Sequence, residues 1–77
     1  MKIYNGPTSI GRDAFTYCAN LMSVTIPGSV ETIGRSAFGN CEALNTVTIQ
    51  NGVKRIDEYA FISNYSLTAV ELPESIE

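Results

Sequence analysis

Residues 33–49 read IGRSAFGNCEALNTVTI, and residues 10–26 read IGRDAFTYCANLMSVTI. Ten of these seventeen positions are identical, and the two stretches lie 23 residues apart. The spacing extends through the chain. Ile10, Ile33 and Ile56 share a column, as do Ala14, Ala37 and Ala60, and Phe15, Phe38 and Phe61. So do Leu21, Leu44 and Leu67; Val24, Val47 and Val70; Ile26, Ile49 and Leu72; and Val30, Val53 and Ile76. Ile3 sits 23 before Ile26. A fixed period of this size marks a solenoid, in which each unit buries its apolar face against the next. The reading is one repeat domain over 1–77: a half-unit 1–9, repeats 10–32 and 33–55, and a partial repeat 56–77.

Within a unit the apolar spacing changes. Residues 33, 37, 38, 41 and 44 are separated by steps that suit one face of a short helical or 3₁₀ turn. Val47 and Ile49 then alternate with Thr46 and Thr48, as in a strand with one buried face. Pro27 and Pro73 close their strands, and Asn51-Gly52 is a turn signal. The segments 30–33 and 53–56 read as a second short extended piece. The fold class is therefore an α/β solenoid, with parallel strands on one side and short helical turns on the other. The glycines of "IGR" are expected to supply a positive φ at the turn.

The pattern I-G-x-x-A-F-x-x-C-x-x-L-x-x-V-x-I-P, matched from Ile10 and again from Ile33, resembles the BspA-like, or treponemal-type, leucine-rich repeat. The third unit departs from it at Asp57, Asn64 and Glu71. The resemblance implies a right-handed coil with its parallel sheet on the concave face. It also implies a surface or secreted protein of anaerobic bacteria or some protists, acting in adhesion or in binding host proteins. An extracellular or cell-surface location follows from the resemblance alone. Residues 1–20 already carry the repeat, so a secreted chain would be a processed form or a piece of a longer protein.

Composition narrows the chemistry. Five basic residues against eight acidic ones give a net charge of −3. The basic residues are scattered, which argues against nucleic acid. No apolar run reaches the length of a membrane span. There is no histidine, so nucleophile–histidine catalysis has no base. Cys18 and Cys41 are a full period apart and offer no C-x-x-C metal pair. Nor does any G-x-G-x-x-G or phosphate loop occur. The carboxylates Asp57, Glu58, Glu71, Glu74 and Glu77 fall on the expected solvent side. No enzyme activity, cofactor or metal is expected. Cys18 and Cys41 could form a disulfide between adjacent units; a pair of buried free thiols is the expectation. The four tyrosines share no column.

Strand alternation defines the candidate binding face: Thr25, Thr48 and Glu71, flanked by Ser23, Thr46 and Ala69, with Lys2 on the first half-unit. Two functions fit, a protein-binding or adhesive module and a structural spacer of a longer solenoid. The ends of the coil lack a distinct capping element, so self-association is also expected, as a symmetric dimer or head to tail.

Overall fold

The computed structural model describes residues 1–76; the expectation for Glu77 falls outside them. Among the described residues six short strands alternate between two parallel sheets. Strands β2 (Ser23–Ile26), β4 (Thr46–Ile49) and β6 (Ala69–Glu71) form one. Strands β1 (Ser9–Ile10), β3 (Thr32–Ile33) and β5 (Arg55–Ile56) form the other. The register is one repeat throughout: Val24 pairs with Val47 and Val47 with Val70. Ile10 likewise pairs with Ile33 and Ile33 with Ile56. Lys2 bridges to Thr25 and adds a short edge to the larger sheet.

The core lies between the sheets and the turn layer, and the middle unit supplies most of it. Ile33, Ala37, Phe38, Cys41, Leu44, Val47 and Val53 are all fully buried. Many of their equivalents in the outer units are less so, although Val24, Val30 and Ala60 are buried too. Phe15, Leu21, Ile56, Phe61, Leu67 and Ile76 are half-buried, and Ala14 is exposed. Each repeat is thus completed by its neighbours, which is why the sequence repeats. The phenylalanines form a stack. Phe15 and Phe38 have centroids 5.1 Å apart at 10° between planes; Phe38 and Phe61 lie 5.3 Å apart at 5°. These separations match a displaced parallel stack.

The turn layer corrects one expectation. No described residue is in an α- or 3₁₀-helix, so the chain is a strand-and-turn coil and not α/β. Two residues in each turn segment hold φ near +60°: Asp13 and Tyr17, Ser36 and Asn40, Tyr59 and Ser63. They recur four residues apart and interrupt any right-handed helical run. The amide groups also point elsewhere. Asp13, Phe15 and Tyr17 donate to the carbonyls of Arg35, Ala37 and Gly39 in the next unit, at 3.1, 2.7 and 2.8 Å. An N–H bonded along the coil axis is lost to an i→i−4 ladder.

The glycines of "IGR" are a second correction. Neither Gly11 nor Gly34 has a positive φ. Gly34 is required because backbone passes close by: a Cβ there would lie 2.8 Å from the Ile10 carbonyl oxygen. Positive φ belongs to Gly6 and Gly52. These two fall in a 23-residue column whose residue types alternate, Gly6, Ser29, Gly52, Ser75. Gly6 N–H donates to Ser29 Oγ at 3.2 Å, and Gly52 N–H to Ser75 Oγ at 3.0 Å. Ser75 Oγ also donates to the Val53 carbonyl at 2.7 Å. Alternating glycine and serine thus staples neighbouring units where the strands end.

Candidate binding face

The larger sheet brings together every residue assigned to the candidate face. Ser23, Thr46 and Ala69 are directly opposite one another in the ladder, and Thr25, Thr48 and Glu71 form the parallel row. Lys2 begins that second row through its bridge to Thr25. The strands alternate as the sequence requires. Val24, Ile26, Val47 and Ile49 point into the core, and the hydroxyl-bearing residues between them point out. Thr48 Oγ1 donates to Glu71 Oε2 at 3.3 Å, and Thr46 Oγ1 to Asn45 Oδ1 at 2.8 Å. The face is a polar lattice of short side chains with one cation and one anion. It can exchange hydrogen bonds with a partner. It carries no Trp, Tyr or Arg, the residues that dominate binding energy at protein interfaces.

Aromatic and cationic side chains sit instead in the turn layer. Tyr17 is 73% exposed. Tyr59 is exposed too, with the Arg35 guanidinium 5.2 Å from its ring centroid. Tyr17 and Tyr59 share no column, but each occupies one of the two positive-φ positions of its turn. Elsewhere those positions hold Asp13 and Asn40, which tolerate this conformation better than a tyrosine does, and the small Ser36 and Ser63. A large exposed aromatic where a small polar residue suffices was the available signal.

The cysteines are both free thiols. Cys41 is buried, but Cys18 is only half-buried, which corrects the expectation of two buried thiols. The difference is positional, since Cys18 lies in the first full unit, where the turn layer has nothing stacked beyond it. Cys41 Sγ lies 3.3 Å from the Phe15 carbonyl oxygen. Burial pushes its thiol pKa up, an effect partly opposed by a backbone hydrogen bond from Cys18. Asn64 takes the next place in this column, its Oδ1 accepting from Cys41 N–H at 2.9 Å. The side chain at this position thus serves as the acceptor for the amide of the unit before it. Asn64 Nδ2 is buried without a partner among the described residues.

Asp57, Glu58, Glu71 and Glu74 are exposed. Among the described residues no three ligating side chains converge as a metal site would require. There is no enclosed pocket among them, and no helix is long and apolar enough to cross a membrane.

Stacked parallel strands at one-repeat register, with a continuous ladder of Phe, Leu, Val and Ile beneath them, agree with the family comparison. The model of the BspA type leucine-rich repeat region, described as six copies, matches residues 1–77. The chain belongs to the BspA-type leucine-rich repeats. A solved relative is the leucine-rich cell surface protein of Faecalibacterium prausnitzii A2-165, known from a crystal structure. It is 29% identical and superimposes with a TM-score of 0.62 over 99% of this chain. The chain spans 26% of that protein's length. No curated protein matches. As a BspA-type module the chain is a repeat coil whose related protein is found at a cell surface.

Proposed function

We propose that this chain is a non-enzymatic module for binding protein at a cell surface, acting through the outward face of its larger sheet. The observation that supports this most directly is the in-register polar array of Ser23, Thr25, Thr46 and Thr48, with Lys2 and Glu71 at its ends. Parallel rungs hold these hydroxyls at about 4.8 Å spacing along the coil axis, on a rigid backbone bonded on both sides. A partner meeting them pays little for ordering the face. The partner class is an extended or strand-rich polar protein surface, and the setting is the cell exterior, as for the related surface protein. The test is surface-immobilised binding against a panel of extracellular-matrix and host-surface proteins. The wild-type chain is compared with Thr25→Lys/Thr48→Lys, both exchanges on the sheet face, and with Arg12→Ala/Tyr17→Ala on the turn side. Loss of a captured partner in the first variant alone supports the assignment. Loss in the second alone moves binding to the turn layer.

One observation favours a second reading, in which the units space or display other domains. The sheet face lacks an aromatic or arginine anchor. Absence of binding to every member of the panel, with both variants folded, would favour the spacer.

A further inference from the structure

Asparagine precedes glycine twice in the chain, at Asn5-Gly6 and Asn51-Gly52, and the two pairs share a column. Asn20, Asn40, Asn45 and Asn64 are followed instead by Leu, Cys, Thr and Tyr. Glycine carries no Cβ to shield its own nitrogen, so a preceding asparagine side chain is open to attack by it. In that reaction the Gly52 nitrogen forms a bond to Asn51 Cγ and the Cγ–Nδ2 bond breaks. The proton lost from Gly52 N–H is balanced by one gained by the departing nitrogen, which leaves as ammonia. Water then opens the succinimide at one carbonyl or the other, giving aspartate or isoaspartate. Water enters, ammonia leaves, and no oxidant or reductant takes part. The Asn51 side chain is exposed, so water reaches it.

Both reacting groups are bonded to the following unit. Gly52 N–H donates to Ser75 Oγ at 3.0 Å, and Asn51 Oδ1 accepts from Glu74 N–H at 3.1 Å. The two bonds act in opposite senses. The Glu74 N–H lies on the oxygen where negative charge builds as Cγ is attacked, and so assists the attack. Ser75 Oγ holds the proton that must leave and fixes the orientation of the attacking nitrogen. The hydroxyl is itself held in place, since it donates to the Val53 carbonyl at 2.7 Å. Restraint therefore lies with Ser75. Gly6 N–H is held in the same way by Ser29 Oγ at 3.2 Å.

We propose that Asn51-Gly52 is a site of spontaneous deamidation whose rate is set by the Ser75 hydroxyl of the following unit, and that Ser29 restrains Asn5-Gly6 in the same way. The modification matters because the joint has no slack. A Cβ on Gly28 would lie 1.9 Å from the Asn51 carbonyl oxygen, and one on Gly52 would lie 2.1 Å from the Gly28 carbonyl oxygen. Isoaspartate puts an extra carbon into the backbone at this close approach, and either product adds a negative charge. The site lies in the turn after β4 and not on the outward face of the sheet, so the inference is independent of what that face binds.

Incubation of the full chain at mildly alkaline pH, below its melting temperature and in parallel in concentrated urea, tests it. Peptide mapping by mass spectrometry follows conversion at each of the six asparagines. In urea Asn5 and Asn51 should convert fastest, and folding should slow both. Ser75→Ala should raise the native rate at Asn51 about two- to ten-fold, the range that one hydrogen bond supports, and leave Asn5 unchanged. Ser29→Ala should do the reverse. Circular dichroism melts check that each variant remains folded, and the wild-type comparison of native and urea rates stands without the variants. Native conversion at Asn51 as fast as in urea overturns the proposal, as does an S75A rate no higher than wild type. Equal acceleration of Asn5 and Asn51 in S75A also overturns it, because general loosening and not the hydroxyl would then set the rate.

Discussion

Replacing Phe38 with alanine separates a stacked core from a set of independent turns. Phe38 is fully buried, with one ring 5.1 Å on one side and another 5.3 Å on the other. Its removal forfeits the transfer free energy of a large apolar side chain and leaves a cavity between Phe15 and Phe61. Phe→Ala exchanges in such sites cost about 3–5 kcal/mol. Aromatic pairs contribute about 0.5–1.5 kcal/mol each beyond area burial, and Phe38 loses two of them. Phe61 is half-buried and has one ring neighbour, so F61A should cost about half as much. A domain of this length has a total stability of about 4–12 kcal/mol, so F38A removes a large fraction and could leave the chain largely unfolded, whereas F61A should not. Urea titration followed by far-ultraviolet circular dichroism measures both, with the midpoint as readout if the slope is unchanged. Equal costs for F38A and F61A, or an F38A midpoint near wild type, would refute the central-rung argument.

Four further outcomes are expected. Gly28→Ala should destabilise by about 1–3 kcal/mol or more, because its Cβ would fall 1.9 Å from the Asn51 carbonyl oxygen; Gly11→Ala, with open space and no positive φ, should be neutral or slightly stabilising, and thermal melts compare the two. Ser75→Ala removes the acceptor for Gly52 N–H and should cost about 0.5–1.5 kcal/mol, read from urea midpoints; no change would mean that water replaces the hydroxyl. Asn64→Ala leaves Cys41 N–H without its 2.9 Å acceptor and should cost about 1–3 kcal/mol in the same assay. Timed alkylation with intact-mass readout should modify Cys18 first and Cys41 only slowly in the native state. A raised native pKa means the folded chain holds the Cys41 proton more tightly, so the stability linked to this thiol is present below the ordinary thiol range and declines as pH rises through it; equal labelling rates would contradict the burial difference.

The sheets were legible in the sequence because strand alternation and a constant period constrain each other. Val47 and Ile49 face inward only if Thr46 and Thr48 face outward, and the same choice recurs 23 residues away. The candidate face follows from that geometry, and Ser23, Thr25, Thr46, Thr48, Ala69, Glu71 and Lys2 fall where alternation puts them. The turn layer was not legible. Apolar side chains three and four apart fit one face of a helix, and they fit equally a series of tight turns whose amides bond to the next unit. What distinguishes the two is the backbone at Asp13, Tyr17, Ser36, Asn40, Tyr59 and Ser63, and tyrosine gives no hint of a positive φ. Exposure at the ends was likewise hidden for Cys18, since a column shows which side chains are equivalent but not how many neighbours each one has.

The staple of Gly6, Ser29, Gly52 and Ser75 gives the coil a longer wavelength than its fold. A glycine rung is followed by a serine rung, so the unit that reproduces this bond is 46 residues, two turns of the coil. Excision of the unit that bears Ser29 would seat Gly6 against Gly52 and leave the Gly6 amide without its hydroxyl acceptor. Excision or duplication of two preserves the alternation. An array that grew by pairs of units would keep a serine after every glycine rung, and one that lost a serine-bearing unit would be weakened at that joint alone.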